Sequence, residues 1–233
     1  MQYLIVTPVY ASSSIKQLIS LLCLCFFAVT MHANADLKPQ NEEQDDPGLK
    51  SVENTGFDTF LVADSFTLPP TQEIYISFAP EISFSEEWLE RFPNKQKYQR
   101  KISKSYGKKL KEKLQETLAD AGWKIASTPG VDTIQLNVRL YDVFITAPDS
   151  PLSQHTLVAN VGSAAIELIF RTPENQPFLK IVDRRITSNE RPVWADRATN
   201  HHYFSKLISF WSEGAVYFFE KILAIAKNSN QNA

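Results

Sequence analysis

The chain has 233 residues, a formal net charge of −2, 43% apolar residues and two cysteines. That apolar content and length suit a folded domain with a sizeable core rather than a disordered chain. The near-balanced charge argues against nucleic acid as the main partner, and the cysteine count argues against a small disulfide-stapled scaffold.

In chain order, the first element is a leader. A weakly charged segment ends at Lys16, an apolar run follows from Leu18 to Val29, and Ala33-Asn34-Ala35 supplies a small-x-small cleavage pattern. Spanning a bilayer takes about 20 apolar residues, so residues 1–35 are expected to be a signal peptide with cleavage after Ala35. Cys23 and Cys25 lie inside the run and each follows a leucine, so neither sits in a lipidation site and the exported form is expected to lack cysteine. Residues 36–56 carry six acids against Lys38 and Lys50 and few aliphatic groups. They are expected to form an acidic flexible tether, because so little burial cannot offset ordering entropy.

EIYISF (73–78) has the alternation of a short strand, with Ile74 and Ile76 on one face and Tyr75 on the other. Ser85 followed by Glu86 and Glu87 is an N-cap with an acidic first turn, and Pro93 ends that short helix. A long helix is expected from near Asn94 to Gly122. At about 100° per residue, Ile102, Tyr106, Leu110, Leu114 and Leu118 form one stripe, while Lys101, Lys104, Lys108 and Lys111 lie opposite. Those lysines are expected to be the solvated face of an amphipathic helix, with weak contact to an anionic membrane surface as their functional alternative.

From Thr133 the period becomes two, with Ile134, Leu136, Val138 and Leu140 on one face. Two further strands are expected, from Leu157 to Phe170 and over 178–186, joined by the turn at 171–177, with a bulge or close contact at Gly162. Residues 188–200 are expected to be a polar loop, and Tyr203 to about Ala226 a helix with Leu207, Trp211, Phe218, Ile222 and Ile225 on one face. The order strand, helix, three strands, helix points to an α+β fold. Its mainly antiparallel sheet would have about four strands, with two long helices on one side and a single domain over 57–227 ahead of a disordered end at 228–233.

The stretch VGSAAIELIFRTPENQPFLKIVDRRI (161–186), with Phe210-Trp211 further on, resembles domain-of-unknown-function family 3313, a bacterial family of uncharacterised envelope proteins. The matching features are Gly162-Ser163, Glu167, Asp183-Arg184 and Trp211. The resemblance implies a Gram-negative envelope, in the periplasm or associated with the outer membrane, and it implies no known reaction. Many members look like lipoproteins, from which this chain departs by its missing lipidation cysteine.

Glu167, Asp183, Arg184 and Trp211 therefore form the candidate cluster, functional or structural. Opposite charges on paired strands are also ordinary sheet stabilisation, worth about 0.2–1 kcal/mol per pair. His201-His202 with Asp196 invites a metal site, but adjacent helical histidines point about 100° apart, and a capping role is favoured. With no nucleophile elbow, phosphate loop or dinucleotide fingerprint, no catalytic residue, metal or cofactor is expected. The expected role is a non-enzymatic envelope domain that binds an envelope protein or polymer. The alternative is a hydrolase of envelope material with an Asp/Glu/His site.

Overall fold

The computed structural model describes residues 48–79, 81–146, 157–194 and 196–231. The leader, both cysteines and the tether as far as residue 47 lie outside the described residues. Seven strands and three helices follow in the order β1 (Leu49–Ser51), β2 (Thr59–Ala63), β3 (Glu73–Phe78), α1 (Glu86–Arg91), α2 (Gln96–Asp120), β4 (Lys124–Ala126), β5 (Ile134–Ile145), β6 (Leu157–Arg171), β7 (Pro177–Trp194) and α3 (Arg197–Gln231).

The strands form one sheet in the order β1-β2-β7-β6-β5-β3-β4. It is mixed. The β1-β2-β7-β6-β5 part is antiparallel, whereas β3 runs parallel to both β5 and β4. This corrects the expected four-stranded, mainly antiparallel sheet with two helices. Parallel neighbours need a long crossover, and α1 with α2 supplies it between β3 and β4. Hydrophobic period alone does not report strand sense, and β1 and β4, at three residues each, are too short to show a period.

Four boundaries also move. Leu49–Ser51 pairs with β2 and the Val52 N–H donates to the Phe60 carbonyl at 2.8 Å, so the folded part begins inside the segment read as a tether. Leu49 and Val52 are aliphatic residues of that segment, and Val52 packs on the core. β7 continues to Trp194, where a polar loop was expected, and α3 runs from Arg197 to Gln231.

Other expectations hold in detail. The Ser85 side chain accepts from the Trp88 N–H at 3.3 Å and caps α1. α2 buries Tyr106, Leu110, Leu114 and Leu118 and ends on Gly122 at φ +89°, with the Trp123 N–H donating to the Leu118 carbonyl. That is the glycine-terminated cap in which the left-handed residue is glycine because it lacks a Cβ.

The register gives the sheet two unlike faces. Along one row, Ile76, Leu136, Phe170 and Leu179 are successive partners; along the next, Val138, Leu168 and Ile181. All are buried, in a single apolar cluster with the stripe of α2 and with Trp211, Ala215, Phe219 and Leu223 of α3. The opposite face presents Tyr75, Gln135, Asn137, Arg139, Tyr141 and Glu167, none of them buried.

Candidate functional site

Side chains alternate across a strand, so the register decides which candidate residues can meet. Asp183 shares the core-facing parity of Leu179 and Ile181, while Arg184 and, on the neighbouring strand, Glu167 face the other way. Asp183 and Trp211 are brought together; Glu167 and Arg184 are separated from them by the thickness of the sheet.

Asp183 is fully buried. Its Oδ2 accepts from Trp211 Nε1 at 2.6 Å and from Arg185 Nε at 2.7 Å, and its Oδ1 accepts from the Asp58 N–H at 3.3 Å. Arg185 also donates to the Gly56 carbonyl and lies over the Phe210 ring at 4.4 Å. Asp58 returns the link, its Oδ2 accepting from the Arg184 N–H at 2.7 Å. This network ties the segment before β2 to β7 and α3. Phe57 in that segment packs on Phe60, Phe210 and Phe218. Gly214 gives the ring room, since a Cβ there would lie 2.9 Å from Phe57 Cζ. Burial pushes the Asp183 carboxyl above its ordinary value, against the Arg185 guanidinium and the Trp211 hydrogen bond, with Asp58 adding to the rise. With no exposed surface, Asp183 is placed to hold the fold together, the structural reading of the cluster.

On the open face a second group forms, in which the candidates Glu167 and Arg184 join Arg139, Tyr141 and Asp142, three residues the sequence reading did not single out. Arg139 is the cross-strand partner of Glu167, and its guanidinium lies 4.9 Å from the centre of the Tyr141 ring. Arg184 pairs with Asp142. Asp142 sits at φ +50°, where the β5–β6 register slips between Tyr141 and Phe144. A non-glycine residue in this conformation is strained, and a bulge re-aims its side chain. Burial first, then the Glu167 carboxylate, push the Tyr141 phenol above its ordinary value, against Arg184 and Arg139. The available signal was Asp142, which interrupts the alternation of β5.

Lys101, Lys104, Lys108 and Lys111 are all exposed on α2, opposite its apolar stripe, as expected. Lys108 pairs with Glu112 at 3.6 Å. The neighbouring Lys113 bridges to α3 through Glu213 at 3.4 Å. The histidine motif resolves into a cap: Asp196 Oδ1 accepts from the Thr199 N–H at 2.7 Å at the start of α3. His201 Nε2 lies 3.4 Å from Ser105 Oγ. Among the described residues, no three His, Cys, Asp or Glu side chains are grouped to hold a metal.

Two small clefts flank the α2–α3 contact and share Tyr106 and Asn200. One has Gly162, Ser163 and Thr187 in its lining, the other Tyr98, Lys101, Arg197 and His201. Neither cleft is lined by Asp or Glu, and neither includes the open-face group.

No protein-family model matches the chain, and no curated protein matches it. Among solved structures it is similar to a PelC dodecamer from Paraburkholderia phytofirmans, at 12% identity over 64% of this chain and 92% of that one, with a TM-score of 0.33. It is also similar to a neuraminyllactose-binding hemagglutinin homolog from Helicobacter pylori, at 11% identity over 69% and 93%, with a TM-score of 0.30. Likenesses this slight assign neither family nor activity.

Proposed function

We propose that this chain is an exported, non-enzymatic domain of the bacterial envelope that acts by binding another envelope component, a protein or a polymer, through the open face of its sheet. Export and the envelope draw on the leader pattern at 1–35 and on the resemblance to family 3313. The observation that carries the binding role is the group Arg139, Tyr141, Asp142, Glu167 and Arg184, held on rigid strands and facing away from the helices. Tyrosine gives a partner contact area at low entropic cost, and arginine gives it a fork of donors. The bulge at Asp142 aims its carboxylate at Arg184, while Arg139 lies over the Tyr141 ring, and both fit a preorganised contact surface.

Capture from a cross-linked envelope fraction tests the reading. The double variant Arg139→Gln, Tyr141→Ala should lose the captured species while melting as the parent does; undiminished capture would contradict this face as the contact. Export is tested separately by the intact mass of the secreted form, expected to begin at Asp36 and to carry no lipid.

A further inference from the structure

We propose that the end of the domain where α2 and α3 begin is a docking surface for an anionic lipid bilayer, independent of the open sheet face. Four chain segments meet there. α2 and α3 run parallel, as Ser105 lies beside His201, Lys109 Nζ donates to Ser205 Oγ at 3.1 Å, and Lys113 reaches Glu213. Arg197, at the start of α3, shares a cleft with Tyr98 and Lys101. Immediately before it β7 ends at Trp194, whose partner is Leu157 at the start of β6.

The charge pattern of α2 conflicts with its own local physics. Its N-cap is Lys95, which makes no side-chain capping bond, and its first turn holds no acid. Lys97, Arg100, Lys101 and Lys104 follow, exposed and without an ion pair among the described residues. The acids of the helix, Glu112, Glu116 and Asp120, gather towards its C-terminal end. A helix dipole favours the reverse arrangement at both ends. Departures of this kind from local consistency mark functional positions, and an anionic partner at the N-terminal end would relieve this one. Of the three acids of nearby α1, Glu86 and Glu87 occupy the first turn of their own helix, and Glu90 is followed by Arg91 in its last turn.

Trp194 and Leu157 select a bilayer as the source of that negative charge. Trp194 is 50% exposed and Leu157 55% exposed. Indole sits well at the headgroup boundary, and an aliphatic side chain gains from the acyl region beneath it. Leucine would gain little on a nucleic-acid phosphate backbone. Among the described residues no helix is long and apolar enough to cross a membrane.

Tryptophan emission provides the test, because Trp88, Trp123 and Trp211 are buried and Trp194 is not. At low salt the purified protein should sediment with phosphatidylcholine vesicles containing phosphatidylglycerol and stay free of vesicles of phosphatidylcholine alone. A spin label near the lipid headgroup should quench its emission, and added salt should release it. Lys97→Gln, Lys101→Gln and Lys104→Gln should each lower vesicle affinity about fivefold with melting unchanged, and Trp194→Ala should abolish the quenching and weaken binding. Failure to bind the mixed vesicles at low salt would overturn the proposal. So would vesicle binding that leaves Trp194 unquenched, or retention on a single-stranded DNA oligonucleotide as strong as on vesicles and indifferent to Trp194→Ala.

Discussion

The indole of Trp211 on α3 donates to the carboxylate of Asp183 on β7 at 2.6 Å, with neither side chain exposed to solvent. The same oxygen receives Arg185, so removing the carboxylate leaves the buried indole N–H without its acceptor and takes from the guanidinium, which keeps the Gly56 carbonyl, its charge partner. Asp183→Ala should therefore cost about 3–5 kcal/mol, the usual range for breaking a buried pair from one side. Trp211→Phe, which keeps most of the ring and loses one donor, should cost less, about 1–3 kcal/mol. Denaturant melts of both variants check the order. A stable Asp183→Ala protein that has lost envelope binding would move this cluster from scaffold to site.

The pH dependence has a definite sign. Burial raises the Asp183 carboxyl above its ordinary 3.8 in the fold, so the folded state favours the protonated form. Its stabilising contribution is full below the unfolded value and declines as pH rises through the folded one. Asp183→Asn, permanently neutral, should gain stability relative to the parent as pH rises across that window. Melting temperatures of both proteins from strongly acid to neutral pH give the comparison, and a parent that gains on the variant instead would reverse the assignment.

On α2 the two faces should respond oppositely. Leu110→Ala or Leu114→Ala, at fully buried positions, should cost about 2–5 kcal/mol. Replacing Lys101, Lys104, Lys108 and Lys111 together by Gln should leave the fold intact, since exposed substitutions stay within about ±0.5 kcal/mol each and Gln has nearly the helix propensity of Lys. Thermal melts distinguish them; harmless Leu variants beside an unfolded Gln variant would mean the helix faces the other way.

Gly162 sits where the β6–β7 register shifts, and a Cβ there would run into the Phe144 carbonyl oxygen. Gly162→Ala should cost about 1–3 kcal/mol, as overpacking does. Because Gly162 lines the cleft beside α3, the amide exchange of β5 and β6 near it should rise as well. Unaltered melting and exchange would show that the strands separate freely at this point.

What was legible in the sequence follows from which residues have one buried face. The stripe of α2, the alternation of β5 and the Ser85 cap each carry their own signature and were readable. The end of β7 was not: beyond the β2 pairing it continues as part of a ribbon with β6, and its sequence SNERPV lacks the apolar alternation of a half-buried strand. β2, TFLVA, falls inside the expected domain but was not read as a strand, because five residues show too little alternation to stand out. The division of the candidate cluster was present in the parity of β7, where Asp183 is in phase with Leu179 and Ile181 and Arg184 is out of phase. Pairing of Asp183 with Trp211 and with the Asp58 N–H is long-range and has no local signal. Tyr141 and Arg139 looked like ordinary solvent-side residues of a strand, because nothing in the sequence says that none of the described helices covers that face.

The claim that the open sheet face is the contact surface is tested most directly by a photoreactive residue at Asn137, between Gln135 and Arg139 on that face, compared with one at exposed Asp120 at the end of α2. Position 137 should yield a discrete adduct with one envelope component, lost when Arg139→Gln and Tyr141→Ala are added, while position 120 yields none. Adducts of the same species from position 120, or none from position 137, would contradict it.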